Sequence, residues 1–220
     1  MKTFSIKTFS LLVIICTAIG CDSSERNSRV ETLPYYDSAD FTPRWIEYTS
    51  SKLQSFHTIP EFSLTNQDNE LITEKTFENK IYITDFFFTF CTGICPKMTD
   101  NMSLLQEEFK NDESVLLLSH SVTPDHDTTE VLQEYADAKE IISGKWHLVT
   151  GDRQEIYDLG RTAYFVEEDL GLEKEADDFL HTENFVLIDQ NRHIRGIYNG
   201  LNKTAITQLI TDIKTLKQEL

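Results

Sequence analysis

From residue 57 onward the chain alternates apolar runs of strand length with stretches of helical period. Phe62–Thr65 and Leu71–Thr73 flank the turn-rich Asn66-Gln67-Asp68-Asn69, which predicts a β-hairpin. Lys80 to Phe88 is almost continuously β-branched and aromatic, the composition of a strand buried on both faces. Pro96 to Lys110 then spaces Met98, Met102, Leu105 and Phe109 by four, three and four residues, which is a helical repeat. Val115–Ser119 and Trp146–Val149 read as further buried strands, and Thr129–Ala138 and Arg153–Ala163 as the helices that follow them. Phe185–Ile188 and His193–Tyr198 flank Asp189-Gln190-Asn191-Arg192 as an antiparallel pair, and Thr204–Leu216 closes the chain as an amphipathic helix.

The resulting order, strand and helix alternating and then two strands and a helix, predicts an α/β domain. A central mixed sheet with helices on both faces, preceded by the hairpin, resembles the thioredoxin-like layout. No internal repeat or low-complexity tract interrupts it, so residues 56–220 are expected to form one domain.

The first twenty residues follow a different pattern. Lys2 and Lys7 precede an apolar run, residues 11–20, that as a helix would rise only about 15 Å, half the hydrocarbon thickness. It reads as an export signal rather than a membrane span. It ends in Ala18-Ile19-Gly20-Cys21, which resembles the bacterial lipobox, with Ala18 where leucine is usual. The resemblance implies cleavage before Cys21 and a lipid on its sulfur; ordinary signal cleavage or an uncleaved anchor is the plain alternative. Residues 21–55 read as a tether: Asp22 to Arg29 is polar and aperiodic, and the proline-broken stretches around Tyr35 and Trp45 are expected to pack along the domain surface.

Composition narrows the function. The chain of 220 residues carries 20 basic and 37 acidic side chains, a net charge of −17. That balance argues against nucleic acid and against docking on anionic headgroups. Loss of residues 1–20 removes two lysines and no acid, leaving 18 bases against 37 acids, or −19. Many of the acids crowd Glu167 to Asp178. They read as a solvated loop, or as a surface that steers a basic partner or metal donor. Four cysteines are too few for a disulfide scaffold of this size. On the lipobox resemblance Cys16 would leave with the signal and Cys21 would carry the lipid, leaving Cys91 and Cys95 as the free thiols.

Those two lie between a buried strand and a helix start, in Phe90-Cys91-Thr92-Gly93-Ile94-Cys95-Pro96. Pro96 suits a first helical turn, and a helix N-terminus favours thiolate. The Cys-x-x-x-Cys spacing permits a disulfide and also lets two sulfurs converge on one metal ion. Inert buried thiols are the plain alternative. Two thiolates need a third ligand. His57, His120, His126, His147 and His193 read as solvated or core-edge residues, and spacing alone does not select His181. Met98 and Met102, though soft, are at core spacing.

Three stretches resemble the Sco/SenC family: Phe88–Met98, Ser121–Thr128, and Asp178–Thr182 with Phe185–Asp189. The resemblance runs from about His57 to the C-terminus. It implies copper, as Cu(I) or Cu(II), bound by Cys91, Cys95 and His181 on a thioredoxin-like fold. The implied role is a metallochaperone for the dinuclear copper site of cytochrome c oxidase. The alternative is a thiol–disulfide oxidoreductase in which Cys91 and Cys95 are the redox-active pair that reduces the oxidase subunit's copper-ligand cysteines. A peroxidase is a weaker third reading. Thr123 stands where the family commonly has Asp, and Phe90 where His is frequent. The expected partners are that oxidase subunit, a thiol reductant and a copper donor. The expected location is the bacterial cell envelope, lipid-anchored and facing the periplasm.

Overall fold

The structure is a computed structural model and describes residues 30–167, 180 and 182–219. One seven-stranded sheet organises it, in the order β2-β1-β5-β4-β3-β6-β7. The strands are β1 (Ser63–Asn66), β2 (Leu71–Thr73), β3 (Ile81–Phe87), β4 (Val115–Ser121), β5 (Trp146–Thr150), β6 (Asn184–Ile188) and β7 (Ile194–Asn199). The three central strands β5, β4 and β3 are parallel and every other pairing is antiparallel. This is the α/β, thioredoxin-like arrangement expected. The β1–β2 hairpin joins the sheet through β5, and β6–β7 forms the opposite edge.

Every residue of β3, β4 and β5 is buried, because helices cover both faces. Alternate residues point to opposite sides. Ile81, Ile83 and Phe87 of β3 join a core with Met98, Met102, Leu105 and Phe109 of α1 (Cys95–Phe109). The same core holds Leu132 and Ala136 of α2 (Thr129–Ala138) and Ile206, Leu209 and Ile213 of α4 (Lys203–Glu219). Tyr82 and Phe86 face the other way, toward Ile156 and Tyr157 of α3 (Arg153–Asp158). Met98 and Met102 are wholly buried, as their spacing predicted.

Three features depart from the sequence reading. The helix expected over Arg153–Ala163 stays α-helical only to Asp158 and widens into a π turn over Leu159–Ala163. Tyr164 N–H reaches back five residues to Leu159 carbonyl, 2.8 Å. Gly160 sits there because a Cβ would lie 2.6 Å from Leu180 Cδ2. Second, His120 lies in the deep core, fully buried, rather than in solvent or at the core edge. It stacks on Phe86 with centroids 4.6 Å apart, and its Nδ1 meets Thr84 Oγ1 at 3.1 Å. Third, residues 33–36 are held more firmly than surface packing requires. Leu33 and Tyr35 are buried, and Tyr36 N–H donates to Ile194 carbonyl on edge strand β7. Buried Arg195 donates to the carbonyls of Leu33 and Pro34, pairs with Asp189 and Glu219, and lies 4.0 Å over the Tyr35 ring.

Among the described residues no helix is long and apolar enough to cross a membrane. Cys16, Cys21, His181 and the acidic stretch beyond Glu167 lie outside the described residues.

Candidate metal and thiol centre

Cys91 and Cys95 sit at the carboxyl end of the central sheet, where β3 runs out and α1 begins. Parallel strands in α/β proteins place ligand sites at this end. Pro96 stands in the first turn of α1, where its missing N–H is not needed. The α1 N-terminus has no side-chain cap, so its first N–H groups are left for the sulfurs. Both cysteines are free thiols; Cys91 is partly exposed and Cys95 is buried.

The two sulfurs therefore differ in character. Burial works against ionising Cys91, but it is outweighed by hydrogen bonds from the Cys95 thiol and from the N–H groups of Cys95, Gly93 and Ile94. The net effect holds the Cys91 pKa below its ordinary value. Cys95 is pushed up to about 12, first by burial and then by donating to Cys91. The pair favours the thiolate at the partly exposed Cys91 and the protonated thiol at buried Cys95.

Two carboxylates that sequence reading did not select support this pair. Asp85 is on β3 between Ile83 and Phe87, so it faces the same layer as Cys95, and it is almost wholly buried. Ser119 Oγ donates to its Oδ1 at 2.5 Å, and Trp146 Nε1 donates to Ser119 Oγ at 2.9 Å. Burial, only partly offset by the Ser119 bond, pushes the Asp85 pKa up to about 7. A charged residue inside an otherwise apolar strand run was the signal available in the sequence.

Asp127 ties the thiol loop to the neighbouring β4–α2 loop. Its buried carboxylate accepts from Thr89 N–H (3.2 Å), Thr89 Oγ1 (2.6 Å), Ser121 Oγ (2.6 Å) and Thr123 Oγ1 (3.1 Å). His126 Nδ1 approaches the same group at 2.9 Å. Burial opposes the charge, yet these donors together hold its pKa below the usual carboxylate value. Thr89 is two residues before Cys91, so this carboxylate fixes the path of the loop. Phe90, exposed beside Cys91, packs on Phe88 and on His126.

Of the residues expected to act together, the fold brings Cys91 and Cys95 into contact. His57 bonds the Ala163 carbonyl, His147 meets Asn66, and His193 meets the His57 carbonyl, so these are structural. Among the described residues no three His, Cys, Asp or Glu side chains are grouped to hold a metal ion. The donor set present, two adjacent sulfurs with one already thiolate-prone, fits a soft ion such as Cu(I).

The SCO1/SenC family model matches residues 50–218. A SCO1 protein homolog of Bacillus subtilis (strain 168) is 28% identical over 163 residues, 72% of this chain and 82% of its own. A SCO1/SenC family lipoprotein from Bacillus anthracis str. Ames is 31% identical, covers 73% of this chain and 95% of its own, and superposes with a TM-score of 0.64. BsSco, described as a member of the Sco family of cytochrome c oxidase assembly proteins with a disulfide switch, is 27% identical. It covers 74% of this chain and 94% of its own, with a TM-score of 0.63. The same fold extends to Arabidopsis thaliana ScoI with copper bound, at 23% identity, covering 70% of this chain and 97% of its own, with a TM-score of 0.55.

Proposed function

The chain belongs to the SCO1/SenC family, and from that premise we propose that it binds copper through Cys91, Cys95 and His181 and supports maturation of the dinuclear copper site of cytochrome c oxidase. The observation that carries this reading is the contact of two free thiols, one thiolate-prone, at the start of α1. Relatives described as oxidase assembly proteins or solved with copper support the choice of metal and partner. Copper is cargo here. Soft thiolates favour Cu(I), and an imidazole added to them accommodates Cu(II). Cys91 supplies the ready thiolate; Cys95 must give up its proton as the metal binds, so uptake releases protons.

A thiol–disulfide role for the same pair is favoured by its asymmetry. The Cys91 thiolate attacks a partner disulfide, forming a mixed disulfide and releasing one partner thiolate. Deprotonated Cys95 then attacks the Cys91 sulfur, closing the Cys91–Cys95 disulfide and releasing the second partner thiolate. Two electrons pass to the partner. In either case an exported compartment oxidises the pair, so a thiol reductant and a copper donor are part of the proposal. So is a lipid on Cys21 after loss of residues 1–20, with residues 21–55 as tether and the domain facing the periplasm from a membrane of the bacterial envelope. The homologous lipoprotein of B. anthracis supports the anchor.

The test is oxidase copper-site content in cells that lack the chain, complemented with single variants. Cys91→Ser and Cys95→Ser are expected to fail. Under the copper reading His181→Ala fails as well; if it binds copper poorly yet restores the oxidase fully, the thiol reading replaces it.

A further inference from the structure

His126 has a setting unlike the other described histidines. It lies in the β4–α2 loop, where its N–H donates to Thr123 carbonyl at 2.9 Å, and its side chain is 55% exposed. The ring rests on Phe90, centroids 4.5 Å apart, and Phe90 is the residue before Cys91. Its Nδ1 lies 2.9 Å from Asp127 Oδ1. An ionised carboxylate can only accept, so Nδ1 carries a proton and, in the neutral ring, Nε2 keeps its lone pair. Among the described residues Nε2 has no hydrogen-bond partner. A carboxylate behind one ring nitrogen and a free second nitrogen is the arrangement of a metal-ligating histidine.

The same Asp127 carboxylate also holds Thr89 by its N–H and its hydroxyl. One buried anchor therefore fixes both the imidazole and the loop that carries Cys91. His126 is nevertheless not grouped with the two thiols in a three-donor cage. Its link to the thiol pair runs through Phe90, the residue before Cys91, on which its ring rests.

Resting on the copper reading above, we propose that His126 is a transient copper ligand. Its Nε2 takes the ion from an incoming complex and passes it to the Cys91 and Cys95 sulfurs, and serves in reverse on release. The step is ligand exchange without change of oxidation state: a Cu–N bond forms as a donor bond breaks, then a Cu–S bond forms as Cu–N breaks.

The experiment uses the full chain, reduced, in detergent, with Cu(II)–glycine as donor and EDTA as acceptor, followed by stopped-flow absorption of the thiolate–Cu(II) band. For His126→Ala, capture and release are both expected to slow by at least about tenfold, the low end of the loss seen when only a group supporting a metal ligand is removed. Free imidazole should recover part of the lost rate. Unchanged rates would overturn the proposal. So would faster release with weaker equilibrium binding, which would make His126 a resident ligand. A wild-type chain that takes no copper overturns the copper reading and this proposal with it. Normal wild-type uptake with an unaltered variant overturns this proposal alone.

Discussion

Asp85→Asn tests the buried carboxyl beneath the thiol pair. In the unfolded chain this group ionises near 3.8, and in the fold near 7, because burial outweighs its hydrogen bond to Ser119. Its proton is thus bound by the folded state and not by the unfolded state between those values. Stability contributed by the neutral carboxyl is complete below pH 3.8 and is lost as pH rises to about 7. At about 1.4 kcal/mol per pH unit, the ionised group costs the fold about 4 kcal/mol. Asn cannot ionise, and its amide oxygen can still accept from Ser119 at a similar place. The lost strength of that bond costs about 1 kcal/mol at either pH, so the variant is expected to be about 3 kcal/mol more stable than wild type at pH 8 and about 1 kcal/mol less stable at pH 4. Urea unfolding of both reduced proteins from pH 4 to 8 reads the difference directly. A wild-type-to-variant gap that does not change with pH would refute the reasoning, because it would mean that Asp85 titrates alike in both states.

Three further outcomes follow from the same structure. Iodoacetamide should label Cys91 well before Cys95 in the reduced protein, since Cys91 is the more exposed and the more readily ionised; equal labelling on peptide mapping would contradict the assigned asymmetry. Burial holds neutral His120 down at about 3, so the unfolded state alone takes its proton as pH falls below 6.5. The His120 contribution should fall by about 1.4 kcal/mol per pH unit across that window, opposing the Asp85 contribution where the two overlap. The stability of His120→Phe relative to wild type in urea unfolding should therefore rise as pH falls below 6.5; a difference that does not change with pH would contradict this. Met102→Ala, in a fully buried position, should cost about 2–5 kcal/mol in urea unfolding. Its copper stoichiometry should stay at the wild-type value; a loss measured on folded protein would make the sulfur a ligand.

Much of the fold was legible because the strands and helices carry strong patterns. Lys80–Phe88 and Met98–Phe109 declare a buried strand and an amphipathic helix by composition and period alone. The π turn after Asp158 was not, because it answers to contacts of Gly160 with Leu180 and Phe86 that are distant in sequence. His120 was misplaced for a similar reason: polarity suggests solvent, and only the stacking on Phe86 shows why a neutral imidazole is accommodated in the core. At the site, the cysteines announced themselves by spacing and by Pro96. Asp85 and Asp127 did not, since their roles come from register: Asp85 opposite Ser119 on β4, and Asp127 within reach of Thr89 across two loops. The hold of Arg195 on residues 33–36 was equally invisible, because it joins segments about 160 residues apart.

The central claim is most directly tested by anaerobic copper titration of the reduced full chain, read by absorption. The account predicts one copper per chain and, with Cu(II), a strong thiolate charge-transfer band that Cys91→Ala, Cys95→Ala and His181→Ala each abolish or weaken severely. A reduced chain that takes up no copper, or a band that survives loss of Cys91 and Cys95, would contradict it.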